Sequence, residues 1–283
     1  METVCRGTGV PRKGLGRGAD TQALVLGCPV VRAIAVFGQG SSAERAHVAV
    51  NLATEATLLR QRTLLVDLDE QAAATGQVFD GLSSGDPNLE TLLAGRGSID
   101  DIARPLHLRL QTWLVLSRIV TLLVVVGAPD LAGQRRRDAA DRLGPVMTSA
   151  GSHFDVVVLA ASRLSEPLGK AALAISDCVL SVVKAGPVAD QEARTFATQA
   201  TALGVPERKL LHVLTGTEVN KHFGRLALEA MERAAEQANR DGRPFGRLLK
   251  TRISHDVALA GSNRSRLKRR RDWTNLAIEV LSG

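Results

Sequence analysis

Apolar residues fall along the chain in short dense runs, separated by longer segments where they recur every three or four positions. That alternation predicts strands buried on both faces and joined by amphipathic helices, as in a mostly parallel sheet. The first run, residues 33–37, predicts a strand, and Gly38-Gln39-Gly40-Ser41-Ser42 a loop. Ala46, Val50, Ala53, Ala56 and Leu59 then keep helical spacing and predict a helix of about four turns. A second run, residues 63–66, ends at Asp67 and Asp69. Strand, glycine turn, helix, strand and acid make one βαβ unit suited to holding a ligand at the helix N-terminus.

Further on, residues 89–93 and 99–102 read as short helices, the second with Ser98 as N-cap. Two strands are expected over 108–116 and 119–126. The apolar stretch from 113 to 128 is interrupted by Ser117 and Arg118 and is too short to span a bilayer. A helix over 135–149, a strand over 154–160, a short helix over 171–175 and a strand over 177–183 follow. Residues 187–203 predict a helix with Pro187 at its start and Gly204 past its end. A strand over 210–214 and a terminal helix over 273–281 complete the pattern. The fold class expected is α/β, a doubly wound and mostly parallel twisted sheet with helices on both faces.

Composition adds boundaries and exclusions. The chain has 283 residues, 45% of them hydrophobic, with no tyrosine and 3% aromatics, so Val, Leu, Ala and Ile must build the core. Residues 1–31 are glycine-rich and basic (Arg6, Arg12, Lys13, Arg17) and read as a flexible arm, with 32–283 a single α/β domain. Cys5, Cys28 and Cys178 lie far apart without CxxC spacing, which argues against a disulfide framework or a zinc site. A secretory leader is not seen, and a cytoplasmic location is expected. The net charge is +7. Arg264, Arg266, Lys268, Arg269, Arg270 and Arg271 crowd together just before the terminal helix. That helix has too few bulky apolar residues for a membrane anchor and is expected to dock on the sheet.

Two readings compete for the βαβ unit. Gly38-x-Gly40-x-x-Ala43 is a dinucleotide fingerprint, with Asp67 where a ribose-binding carboxylate would sit, and implies an NAD(P)-dependent oxidoreductase. The other reading rests on a gapless likeness. Ile34-Ala35-Val36, Gln39, Ala49-Val50-Asn51-Leu52-Ala53 and Leu65-Val66-Asp67-Leu68-Asp69 with Gln71 resemble the ParA/MinD family of deviant Walker P-loop ATPases. Phe154-Asp155-Val156-Val157-Val158-Leu159-Ala160, the strand over 177–183, and Ile253-Ser254-His255-Asp256 through Leu259 are similar to later family motifs, in the family's order. Thr91-Leu92-Leu93-Ala94-Gly95-Arg96 and Ser98-Ile99-Asp100-Asp101 look like its pilus-assembly branch, the CpaE/TadZ group. A dehydrogenase predicts none of these downstream matches.

The resemblance implies a P-loop NTPase-like fold, ATP with Mg2+ as cofactors, a nucleotide-bridged homodimer, and a role in plasmid or chromosome partition or pilus placement. Carried over residue by residue, the phosphate loop spans Gly40, Ser41, Ser42, Ala43, Glu44, Arg45, Ala46 and His47. Its signature lysine falls on Gly40, glycines on Ser41, Ser42 and Glu44, the phosphate lysine on Arg45, and the magnesium-binding threonine on Ala46. The Walker B aspartate falls on Ala160, and an adenine-contacting position on Thr215. Asp67 and Asp69 keep the family's catalytic acids. Losing lysine, hydroxyl and carboxylate together removes charge stabilisation and metal placement, so a pseudo-ATPase is expected. A weak ATPase using Arg45 in place of lysine is the alternative. ParA relatives also use basic surface near this end, so the stretch from Arg264 to Arg271 is expected to hold duplex DNA through its phosphates.

Overall fold

The computed structural model describes residues 32–80, 86–110, 118–128, 134–150, 153–161, 163–217, 221–254 and 263–282. The basic arm over 1–31 lies outside the described residues. Among the described residues eight strands form one sheet: β1 (Arg32–Gly38), β2 (Thr63–Asp67), β3 (Arg104–Leu110), β4 (Arg118–Val125), β5 (Val156–Ala160), β6 (Cys178–Lys184), β7 (Leu210–Thr215) and β8 (Arg247–Ile253). Their order is β3-β4-β2-β5-β1-β6-β7-β8. Only the β3–β4 pairing at one edge is antiparallel; the other pairings are parallel.

Alternation along each strand sends side chains to two faces. From β1, Ile34 and Val36 face one way, under α1 (Ser42–Leu58) and α9 (Asn263–Ser282). Ala35 and Phe37 face the other, under α3 (Leu89–Leu93), α5 (Gln134–Ala150), α6 (Pro167–Ile175) and α7 (Ala189–Ala202). A third cluster joins α8 (Lys221–Asp241) to β6 and β7. The short helices α2 (Ala73–Val78) and α4 (Ile99–Ile102) follow β2 and precede β3.

The expected unit of strand, loop, helix and strand is present, but β1 and β2 are not neighbours. Strand β5 lies between them, pairing with both. This places Asp67 two strand spacings from β1, about 10 Å rather than about 5 Å. The dinucleotide fold requires the acid on the strand next to the glycine turn, so the oxidoreductase reading loses its ribose carboxylate.

Helix α9 departs from the expectation as well. It begins at Asn263, so the basic stretch read as preceding the helix forms its first half. Its apolar residues Trp273, Leu276, Ala277 and Val280 are buried against the α1 side of the sheet. The Thr274 hydroxyl donates to Glu55 on α1 at 2.8 Å. Glu279 accepts the backbone N–H groups of Lys250 and Thr251, each at 2.8 Å, and so blunts the open edge of β8. The docked helix matches the sequence expectation, and its apolar face is spent on the core. Among the described residues no helix is long and apolar enough to cross a membrane.

Candidate functional site

The loop leaving β1 reaches the start of α1 at the carboxyl ends of the strands, where open α/β sheets bind ligands. Ser41 is the N-cap, in extended conformation, and its hydroxyl accepts the Glu44 N–H at 3.3 Å. The Ser41 carbonyl also takes the N–H groups of Glu44 and Arg45, at 3.2 and 3.3 Å. In a phosphate loop, amides of this turn point at the ligand. Here two of them are held by the residue standing in a glycine's place.

Arg45 is 5% exposed, and its guanidinium lies inside the loop it follows. One terminal nitrogen donates to the Gly40 carbonyl at 2.8 Å and to that of Gly38 at 3.4 Å. The other donates to the Ser42 hydroxyl at 3.0 Å and to Asp69 Oδ2 at 2.9 Å. The Arg45–Asp69 pair is buried on both sides. Asp69 also accepts the Gln71 N–H at 2.8 Å. The loop thus encloses a cation with its own counter-charge.

Glu44 is 7% exposed in the first turn of α1, where a carboxylate answers the helix dipole. Thr215, fully buried at the end of β7, donates its hydroxyl to Glu44 Oε1 at 2.7 Å. The residue expected to meet adenine therefore anchors the loop's acid instead. The other Glu44 oxygen lies so close to Gly40 that a Cβ there would come within 2.7 Å of it. A lysine at position 40, as the family pattern has, would have to displace that carboxylate. Burial, with the Glu44 charge, raises the carboxyl of Glu192 on α7, so Glu44's negative field reaches the neighbouring helix.

Asp67 is wholly buried and accepts the Thr75 N–H and hydroxyl, both at 2.7 Å, and the Asp69 N–H at 3.1 Å. Thr75 Oγ1 in turn accepts the Gly127 N–H at 2.8 Å. Burial pushes the Asp67 carboxyl up to about 6, against the Thr75 hydrogen bonds that hold it down. The acid works as a brace between β2, α2 and the end of β4. His47 sits half-buried, edge-on to Trp273 with ring centroids 5.4 Å apart, and belongs to the α1–α9 contact.

Ala46 is 2% exposed and brings no hydroxyl, and Ala160, paired with Val36 and Asp67, brings no carboxylate. Ala43 is exposed, its carbonyl accepting the Gln77 amide at 2.8 Å. The magnesium ligands of the family pattern are absent or engaged, and the residues do not fit a Mg–ATP complex. Among the described residues no cluster of His, Cys, Asp and Glu is arranged to hold a metal. The sequence alone did not give the partners of these residues: Arg45 with Asp69, Asp67 with Thr75, Glu44 with Thr215. An arginine in the first turn of α1 and an acid just past β2 were the hint. Of the expected DNA contacts, Arg271 is exposed on α9. The side chains of Arg264, Arg266, Lys268, Arg269 and Arg270 lie outside the described residues.

No protein-family model and no curated protein matches the chain. Solved structures do match its fold. Cobyrinic acid a,c-diamide synthase from Mycobacterium smegmatis, with bound ATP analog and magnesium, aligns at TM-score 0.65 and 17% identity over 89% of this chain and 95% of that one. The ParA family ATPase of Chlorobium tepidum TLS aligns at 0.63 and 13%, over 87% and 98%. A plasmid partition protein of Borrelia burgdorferi aligns at 0.60 and 15%, over 89% and 99%. The chain has the ParA-type P-loop NTPase fold.

Proposed function

We propose that this chain is a ParA/MinD-like partitioning or positioning protein whose nucleotide site has become structural, a pseudo-ATPase that acts through protein and DNA contacts. The observation that carries the reading is the buried Arg45–Asp69 pair inside the loop. A phosphate entering there would have to separate an ion pair already out of water, displace the Ser41 cap and face the Glu44 carboxylate. Without the hydroxyl at Ala46 or the carboxylate at Ala160, no metal repays that cost. On this reading any homodimer forms without nucleotide, and the protein works in the cytoplasm with a partition or pilus partner.

The purified protein should release phosphate from ATP with magnesium no faster than a buffer blank and give no heat of ATP binding. Steady magnesium-dependent turnover that Asp69→Ala abolishes would overturn the reading. It would favour the weak ATPase.

DNA binding is the second part of the proposal. Docking of α9 through Trp273, Leu276 and Val280 uses these apolar residues on the core, which favours an anionic partner over a bilayer for the basic stretch of the sequence. Duplex binding should be independent of sequence, weaken steeply with salt, and be lost in the triple change of Arg269, Arg270 and Arg271 to Ala. Fluorescence anisotropy across a salt series measures it. Affinity absent at low salt, or unchanged by the triple change, removes DNA as a partner.

A further inference from the structure

Beside the loop, on the face of the sheet away from α1, a cleft of about 590 Å³ opens between α6 and α7. Its volume is that of a small-molecule site. It shares Gly38, Gln39, Gly40 and Arg45 with the phosphate loop; Asp67, Asp69, Ala160 and Thr215 take no part in lining it. The floor is apolar. Phe37 from β1 and Phe196 from α7 meet there, ring centroids 5.8 Å apart and tilted by 47°. Leu164 and Leu203 add walls.

The charges around this floor are all of one sign. Arg163 and Lys170 are exposed on its rim, Arg45 closes its back, and no Asp or Glu is among the described residues that line it. Asp69 answers the charge of Arg45, yet the Arg45 Nε, which is buried, has no hydrogen-bond partner. Neither Arg163 nor Lys170 makes an ion pair among the described residues. Ser165, Gln39 and Gln199 supply neutral hydrogen-bonding groups. A concave surface lined by one sign of charge over a low-dielectric floor concentrates counter-ions of the opposite sign. The floor adds a preference for ligands that bury apolar or aromatic surface.

We propose that the cleft between α6 and α7 binds a small organic anion, an apolar or aromatic body carrying a phosphate or carboxylate. The acid group sits at Arg163 and Lys170, and the body lies over the Phe37–Phe196 floor. The site borders the nucleotide loop through Gly38, Gln39, Gly40 and Arg45 but extends away from it between α6 and α7, and the proposal stands whether or not the chain hydrolyses ATP.

The test titrates 1-naphthyl phosphate, inorganic phosphate and 1-naphthol into the full chain by calorimetry. Naphthyl phosphate should bind one-to-one and at least tenfold more tightly than either fragment. The double change Arg163→Ala with Lys170→Ala should weaken it at least tenfold. So should Gln199→Trp, which fills the cleft from an exposed helix position. Circular dichroism establishes that each variant is folded. The proposal fails if naphthyl phosphate gives no saturable heat at millimolar concentration. It fails equally if folded variants bind it as tightly as the unchanged chain, because binding then lies elsewhere. Equal affinity for inorganic phosphate would remove the role of the apolar floor and overturn the ligand class. ATP turnover, read separately, bears only on the pseudo-ATPase.

Discussion

Two cationic regions meet at Arg45 and differ in how the chain answers their charge. On the loop side Asp69, Ser42 and the carbonyls of Gly38 and Gly40 take up the guanidinium, while Ser41 and Thr215 occupy the adjoining amide and carboxylate. On the cleft side Arg163 and Lys170 face a lining with no acid among the described residues. Both regions carry residues that bind anions in other settings. The difference teaches that positive charge near a helix N-terminus is not yet a binding site. What decides is whether folding has already supplied the counter-charge, since a buried pair costs far more to open than an exposed side chain costs to redirect.

The largest expected effect follows from that difference. Arg45→Ala leaves Asp69 buried and uncompensated and should cost about 3–5 kcal/mol of stability in urea unfolding. Asp69→Ala strands the guanidinium and should cost a similar amount. The double variant should lose clearly less than the sum of the two, because each single change already forfeits the shared interaction. Lys170→Ala on the cleft side should change stability by less than about 0.5 kcal/mol. If Arg45→Ala proves as mild as Lys170→Ala, the loop corner is not closed by the pair, and the contrast between the two regions collapses.

Much of the scaffold of this corner was legible in the sequence. Strands β1, β2, β5, β6 and β7 are runs of Val, Leu, Ala and Ile buried on both faces, and such runs announce themselves. Strand β8 did not: Arg-Leu-Leu-Lys-Thr-Arg-Ile is an edge strand with only Leu249 and Ile253 buried, and its polar positions hide it. Helix α8 was missed because its buried stripe is built mainly from small residues (Gly224, Ala227, Ala234, Ala238), with Met231 the one large side chain. Strand β3 begins at Arg104, four residues before the expected start, since Pro105 sits where an edge strand tolerates it; residues 111–117 lie outside the described residues. The corner's residue list was legible too, but not its wiring. Arg45 reads as a phosphate ligand until β2 brings Asp69 to it from 24 positions away. Asp67 reads as catalytic until Thr75 claims it.

A medium effect reads one acid of the corner, Asp67, by pH. Asp67 titrates in the folded chain near 6 rather than near 3.8. Folding therefore favours its protonated form; that contribution is complete below about 3.8 and is lost as pH rises through 6. Thr75→Val removes the hydroxyl's hydrogen bond to the carboxylate, leaving only the backbone N–H from that position, and takes the acceptor from the Gly127 N–H; it pushes the Asp67 carboxyl higher still and should cost about 1–3 kcal/mol at pH 7.5. The loss should shrink toward pH 5, where the carboxyl is protonated in both proteins. His212, lowered to about 4 by burial despite its bond to the Phe245 carbonyl, has the opposite sign. Its contribution is present above 6.5 and lost as pH falls through 4, but it cancels between variant and parent. Urea midpoints at pH 7.5 and 5 decide; a cost independent of pH would mean that Thr75 braces the turn without sensing the Asp67 charge.

The smallest effect tests which part of the corner keeps it shut. Ser41 stands where the family pattern has glycine, and its hydroxyl holds the Glu44 N–H. Ser41→Ala should cost about 1 kcal/mol, as loss of a helix cap does, while Ser41→Gly should cost only a few tenths because glycine lets water reach the freed amide. Ser41→Gly also restores one phosphate-loop residue. If the cap were what excludes an anion, calorimetry should then detect ATP or phosphate binding. The expected outcome is none, since the Arg45–Asp69 pair and the Glu44 carboxylate remain in place and outweigh one liberated amide. Binding regained by Ser41→Gly alone would move closure of the site from the buried ion pair to the cap.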